Sequence, residues 1–299
     1  MRTFRAMNTE IAVAAPTLDD DAEHVLAERI AAVFADTERR FSRFRDDSEL
    51  ARLNRATAPI IVSHELVTLL EHAGRHVIET DGMFDPAIGA ALCAAGYDRS
   101  FAPGALDRDA FVAPPQRARF ADVAIDARAR CVWRPPHVQL DLGGFLKGHT
   151  VDRAAAVAPP ISIIDAGGDA VLRGAGIDGA GWLVDIEDPG DARHVLATLR
   201  VCDRAVATSA PNRRRWRAGS AIAHHLIDPS TRMPSTSDLA QVTVVAPTAE
   251  QADVLAKVGF LLGATGGARF LAERSGIGAV LVVRDGSLRF VGDLEVTDA

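Results

Sequence analysis

A chain of 299 residues with 48% apolar and 24% charged side chains has the composition of one large globular domain or two average ones. Its net charge of 33 − 40 = −7 argues against general nucleic-acid binding, which draws on a basic field. No run of about 20 uninterrupted apolar residues occurs, so no membrane span is expected. The start Met1-Arg2-Thr3-Phe4-Arg5-Ala6 has no signal-peptide core, so a cytoplasmic protein is expected. Cys93, Cys131 and Cys202 are too scattered for a disulfide framework or zinc knuckle and read as three reduced thiols in apolar surroundings.

Glu10 to Ala15 reads as a first strand. From Leu18 to Phe44, Val25, Leu26, Ile30, Val33 and Phe34 recur at helical spacing behind an acidic start. Ser63 to Glu79 reads as an amphipathic helix capped by Ser63, and the proline-bearing stretch 101–126 as loops and short strands. Gln139 to Leu142 is expected as a short strand that Gly143-Gly144 turns into a helix running to about Val157, where Pro159-Pro160 stops it. Ile161 to Ala166 and Ala170 to Arg173 form a hairpin around Gly167-Gly168. Trp182 to Ile186, Ala197 to Val201, Ala205 to Thr208 and Gln241 to Ala246 are further strands. Thr248-Ala249-Glu250-Gln251 fits a capping box opening a helix to Gly263. A helix over Ala268 to Ser275 and strands over Ala279 to Val283 and Leu288 to Val291 close the chain. Helices and strands mix without strict alternation, so the expected class is α+β, with mixed, largely antiparallel sheets. One catalytic domain over 1–299, in two closely associated lobes without a linker, is expected.

The 33 basic side chains comprise 31 arginines and two lysines, Lys147 and Lys257. Arginine is a fixed planar fork, whereas lysine is a compact point charge that can be desolvated. Two positions that keep lysine against this bias are candidates for chemistry. Several familiar motifs fail. Gly143-Gly144-x-x-Lys147-Gly148 lacks the Ser or Thr of a P-loop, Ala166-Gly167-Gly168-Asp169 enters a hairpin instead of a helix, and His224-His225 lacks zinc spacing.

Six segments hold together. They are Met7-Asn8-Thr9; Phe41-Ser42-Arg43-Phe44 through Leu53-Asn54; Asp81-Gly82-Met83-Phe84-Asp85-Pro86; Asp141 through Asp152 with Asp165 through Asp169; Thr208-Ser209 with His224-His225-Leu226-Ile227-Asp228-Pro229; and Ala252 through Lys257 running to Leu262-Gly263. Their order and spacing resemble the FAD:protein FMN transferases, the ApbE-like flavin transferases. The resemblance implies an enzyme that binds FAD with Mg²⁺, passes FMN to a Thr or Ser hydroxyl of a target protein or domain, and releases AMP. It implies Mg²⁺ ligation by the Leu146 carbonyl and Asp253, with position 257 completing the metal set. Lys147 is then a point charge for a phosphate and a catalytic residue, and His225 takes the proton of the incoming hydroxyl. Met7, Phe44, Met83, Phe84, Asp85, Gly143, Lys147 and Ile227 match segments that line the flavin site. Asn54 and Ser48 are assigned to structure. Asp152 is read equally as a stabilising surface charge or a ligand, Asp228-Pro229 as a turn, and Arg213 through Arg217 as a loop, either simply solvated or lying beside the active site or docking an acidic target.

The chain departs from the family pattern at several positions. Lys257 stands where relatives carry a Thr that helps to hold the metal. Four residues after Asp253, it shares that residue's helix face. Its ammonium either pairs with Asp253 or takes part of the metal's place, so metal binding is expected to be weakened or rearranged. Ala210 and Arg232 replace usual glycines, and Asn8 replaces another. The competing readings are an FAD pyrophosphatase, a flavin binder without turnover, and a scaffold without ligand.

Overall fold

The computed structural model describes residues 1–102, 107, 112 and 116–298. The fold is α+β. Its named strands pair antiparallel throughout, and one isolated bridge, Ile88 with Gln139, is parallel. The helices among the described residues are α1 (Asp20–Phe41), α2 (Glu49–Arg55), α3 (His64–Glu79), α4 (Gly89–Ala95), α5 (Leu146–Ala155), α6 (Ala249–Leu261) and α7 (Gly263–Ala272). The chain forms two compact units: Met1–Asp36, Phe145–Ala210 and Ser237–Ala299 make the first, Thr37–Gly144 and Pro211–Thr236 the second.

The first unit is built on an eight-stranded sheet whose strands lie side by side in chain order. They are β1 (Arg2–Ala6), β2 (Thr9–Ala14), β3 (Ser162–Asp165), β4 (Asp169–Arg173), β5 (Arg204–Ser209), β6 (Leu239–Ala246), β7 (Gly278–Val283) and β8 (Leu288–Gly292). Met7 and Asn8 join β1 to β2 with φ of 49° and 61°, the mirror-image turn that matches strand twist. Asparagine tolerates this conformation where glycine is usual.

Alternation along the strands sends neighbouring residues to opposite faces. On one face Ile11, Val13, Ile164 and Ala205 pack with Leu26, Ile30 and Phe34 of α1 and Val151 and Ala154 of α5. On the other, Leu172, Val206, Val245, Val280 and Val282 pack with Ile186, Ala197, Leu199 and Val201. These last four belong to a three-stranded sheet of Trp182–Glu187, Val195–Val201 and Glu295–Asp298. Covered on both faces, β6 is buried at seven of its eight positions, Gln241 and Thr243 included, and reads as a β-branched run. Each fully buried Val, Leu, Ile or Phe contributes about 1.5–3 kcal/mol.

Helix α6 starts where expected. Thr248 accepts the Gln251 N–H at 3.2 Å, and Asp152 of α5 accepts those of Ala249 at 2.8 Å and Glu250 at 2.9 Å. Asp152 is thus neither a surface charge nor a ligand. It is a mostly buried cap that ties α5 to the positive end of α6, with its carboxyl held above the ordinary range by burial. Asp152→Ala is expected to lower unfolding stability by about 1–2 kcal/mol in urea titrations.

The second unit carries α2, α3 and α4 with a small sheet of Ile60–Ile61, Cys131–Trp133 and Ala124–Asp126. Two hairpins complete it, Arg215–Ala218 with Ala221–His224 and Ile227–Asp228 with Met233–Pro234. Ala91, Leu92, Ala95, Tyr97, Trp216, Ala218, Ala223 and Ile227 form a core there.

Several expectations change. Gln139 to Leu142 is not a strand. Gln139 and Asp141 bond to the backbone of Gly89 and Pro86 in a single parallel bridge, and between them Asn54 brackets Leu140 by donating to its carbonyl and accepting its N–H, both at 2.8 Å, so the ladder goes no further. The same pair confirms Asn54 as structural, and Ser48 caps α2 by accepting the Ala51 N–H at 3.0 Å. The helix after Gly143 starts only at Leu146, and α1 only at Asp20, behind Asp19, which accepts the Ala22 N–H. Arg215–Ala218 is a strand with Trp216 buried, not a loop. Cys93 and Cys202 are exposed and Cys131 is half-buried, so the free thiols are not in apolar surroundings: Cys93 lies off the buried face of α4, and Cys202 in a turn. The loops and strands expected over 101–126 fall partly outside the described residues, at 103–106, 108–111 and 113–115.

The Asp228-Pro229 turn forms as expected, with Asp228 Oδ1 accepting the Ser230 N–H at 2.7 Å. It places Arg232 at φ 60°, whereas Ala210 is not among the described residues at positive φ. Of these two positions Arg232 therefore carries the strain. Arg232→Gly is expected to raise stability by about 0.5–1 kcal/mol, read as a higher Tm.

Candidate active site

In the first unit, α5, β4 and α6 bring four charged side chains together. Lys147 extends from the first turn of α5. Its Nζ pairs with Asp169 Oδ2 at 2.8 Å and donates to the Ala166 carbonyl at 3.0 Å. Asp169 opens β4, directly after the Gly167-Gly168 turn. On α6, Lys257 Nζ pairs with Asp253 Oδ1 one helical turn away, and Asp253 Oδ2 accepts the Gly148 N–H at 3.3 Å. Gly148 is required by this approach: a Cβ there sits 2.3 Å from the Ala249 carbonyl oxygen, so any side chain pushes α5 off α6. His149 Nδ1 and Glu250 Oε2, 2.7 Å apart, add a second link between these helices.

The two carboxylates are almost wholly buried, at 1% and 2% exposure, while the lysine side chains keep 18% and 19%. Burial pushes the Asp169 carboxyl up to about 6, the charge on Asp253 adds to this, and the two lysines oppose it. The four charges sum to zero and show solvent their ammonium side. Such an arrangement can hold a multiply charged anion by point charges.

The metal set implied for this place does not fit Mg²⁺. The Leu146 carbonyl accepts the Thr150 hydroxyl at 2.6 Å, inside α5. Asp253 has one oxygen on an ammonium and the other on a backbone N–H. The third member, Lys257, is itself a cation, with three donors and no acceptor. Mg²⁺ asks for oxygen ligands in octahedral array, and this set offers one carboxylate already neutralised.

In the second unit, the two adjacent histidines separate cleanly. His224 is buried at 7% exposure. Its Nδ1 accepts the Leu226 N–H at 3.3 Å and its Nε2 faces the Ser235 carbonyl at 3.0 Å, so both ring nitrogens serve the fold. His225 is half-buried, with Nδ1 3.4 Å from the Arg214 carbonyl oxygen. Ile227, two residues on, is buried in the core with Trp216 and Tyr97. Phe44 packs on that core, its ring 5.2 Å from that of Tyr97.

Phe84 is buried edge-on to His76, and a Cβ on Gly144 sits 2.9 Å from its ring. Asp85 is a buried organiser: it accepts N–H groups from Ala87 at 2.8 Å and Phe120 at 3.1 Å, and burial raises its carboxyl above the usual range. Met83 is half-buried and Gly143 exposed, its N–H donating to Asp141 Oδ1 at 2.6 Å. Met7 lies in the first unit, half-buried against that unit's core.

Sequence reasoning gave no role to Asp169, Arg43 or Asp141. The Arg43 guanidinium stacks 4.1 Å from the Phe44 ring centroid, donates to the Tyr97 carbonyl at 2.6 Å and pairs with Asp141. All three residues lay within the segments of the resemblance, but only the tertiary pairing marks them out.

The first unit is thus an α+β scaffold that sets two lysines over two buried carboxylates. The chain belongs to the ApbE family, whose sequence model matches residues 7–281. It is 32% identical over 291 residues to the FAD:protein FMN transferase of Treponema pallidum (strain Nichols), covering 89% of this chain and 79% of that one. To that of Haemophilus influenzae (strain ATCC 51907 / DSM 11121 / KW20 / Rd) it is 30% identical over 275 residues, covering 86% and 78%. The fold matches the crystal structure of the ApbE protein from Thermotoga maritima MSB8, with a TM-score of 0.84 at 24% identity over 97% of this chain and 96% of that one. It also matches the flavin transferase ApbE from Vibrio cholerae, with a TM-score of 0.76 at 22% identity over 98% and 96%. Among the described residues no helix is long and apolar enough to cross a membrane.

Proposed function

We propose that this ApbE-family chain is an FAD:protein FMN transferase that moves FMN from FAD to a Thr or Ser hydroxyl of an acceptor protein and releases AMP. The enzyme is a transferase, and its partners are FAD and the acceptor. The observation that carries the reading is the paired-lysine cluster, whose outward ammoniums suit a pyrophosphate, in a chain whose relatives bear that enzyme name.

Phosphoryl transfer asks mainly for positioning and charge neutralisation. Lys147, fixed by Asp169 and the Ala166 carbonyl, is the point charge for the phosphate of FAD. The acceptor oxygen forms a bond to the FMN phosphorus. The bridging P–O bond breaks, its electron pair leaves on AMP, and the hydroxyl proton passes to His225. His225 suits this role because its neighbour His224 is the histidine committed to the fold. In the second unit Phe44 and Met83 keep apolar surface suited to a flavin or adenine ring, Gly143 offers exposed backbone, and Phe84, Asp85 and Ile227 are buried; in the first unit Met7 keeps apolar surface of the same kind. No step is assigned to Mg²⁺, because the Leu146 carbonyl and Asp253 are already engaged by Thr150, Lys257 and Gly148.

The test is incubation of the purified protein with FAD and Mg²⁺, with and without a flavin-acceptor domain, following AMP by chromatography and flavin fluorescence of the acceptor band. AMP formed only with acceptor, together with a fluorescent band, is the expected result. AMP formed without acceptor makes the enzyme a pyrophosphatase. FAD retained with no AMP makes it a binder and overturns the transfer reading.

A further inference from the structure

The chain has two lysines against 31 arginines, and both lie in one cluster. A planar guanidinium needs a fork of acceptors, whereas an ammonium fits a point position of the size a bare cation takes. Lys257 Nζ sits on Asp253 Oδ1 and reaches the Asp253 carbonyl at 3.5 Å, so it already occupies the oxygen that a metal would use. The site is electrically closed: two buried carboxylates, two ammoniums. A divalent ion entering it breaks a pair whose carboxylate is 2% exposed and sets two positive charges beside one.

We propose that the Lys257 ammonium is the resident cation of this site, tethered at Asp253, and that it keeps divalent ions out of that position while facing the pyrophosphate directly. For what the cation faces, this rests on the flavin-transfer reading; its place on Asp253 does not. Lys147 and Lys257 then neutralise the substrate together, and transfer runs without added metal.

Two readouts test this. The first is Mn²⁺ binding to the intact protein, measured by electron paramagnetic resonance with Mn²⁺ as the probe, for the parent chain, Lys257→Thr and Lys257→Met. Threonine frees the carboxylate and adds an oxygen; methionine frees it without adding one. The expected result is at least about tenfold tighter Mn²⁺ binding by Lys257→Thr than by the parent, with Lys257→Met in between. Micromolar Mn²⁺ binding by the parent overturns the proposal, as does equal or undetectable binding by all three. The second readout is AMP release in excess EDTA, expected to persist in the parent and to depend on Mg²⁺ in Lys257→Thr. Loss of AMP release by the parent in EDTA, restored by Mg²⁺, overturns the proposal. A parent that releases no AMP under any condition refutes the transfer reading instead, and the Mn²⁺ comparison still decides this one.

Discussion

Replacement of His225 by alanine is expected to lower the rate of FMN transfer by about 10²–10⁴-fold, the usual contribution of a positioned proton acceptor. Tm should stay close to the parent value, because the ring is only half-buried and its Nδ1 stands 3.4 Å from the Arg214 carbonyl oxygen. FAD affinity should stay as well. His224→Ala is the control with the opposite signature. It leaves the Leu226 N–H and the Ser235 carbonyl without their side-chain partner in a buried place, and is expected to cost about 1–3 kcal/mol of stability. Single-turnover AMP release beside thermal unfolding separates the two. If His224→Ala is the variant that is stable and slow, the roles are reversed.

Gly148→Ala is expected to destabilise the fold by about 3 kcal/mol or more, which is large for one methyl group. The added carbon lies 2.3 Å from the Ala249 carbonyl oxygen and 2.8 Å from the Glu250 nitrogen, both backbone atoms that cannot swing aside. Relief requires α5 and α6 to part. Parting them also draws the Gly148 N–H away from Asp253 and strains the cap that Asp152 places on α6. Chemical denaturation gives the stability. Transfer measured on the folded fraction should fall too, since Lys147 and Asp253 ride on the two displaced helices. A Gly148→Ala protein with unchanged midpoint and rate would mean that these helices do not meet as described.

What the sequence disclosed and what it hid follow the range of the forces involved. Ser63 and Thr248 were legible as caps because the side chain and the N–H it accepts lie three residues apart. The β3–β4 hairpin was legible through Gly167-Gly168, both at positive φ. The strands β6 and β7 showed as β-branched runs. In contrast, α2 and α4 are seven residues each, too short to show a periodic face, and the strands Arg215–Ala218 and Ala221–His224 owe their place to Trp216 and the core it enters. Within the site, the Asp253–Lys257 pair could be foreseen from its i to i+4 spacing. The Lys147–Asp169 pair could not, since its members stand 22 positions apart with a change of element between them. The same distance hid Asp152, whose partners stand nearly a hundred residues further on.

The arrangement of the eight-stranded sheet sets the order in which the molecule can be completed. Its strands follow chain order across the sheet, but β5 ends at Ser209 and its next neighbour, β6, begins at Leu239. Between them the ribosome makes a piece of the other unit, Pro211–Thr236. During that interval β5 presents an open hydrogen-bonding edge, Ala-Val-Ala-Thr-Ser, to whatever is nearby. The helix that carries Asp253 and Lys257 emerges later still. Pairings this distant in sequence close slowly. Asp253 and Lys257 are therefore the later half of the reactive cluster, made after Lys147 and Asp169, and until β6 arrives the edge of β5 waits open, as that of β2 does over the longer stretch before β3.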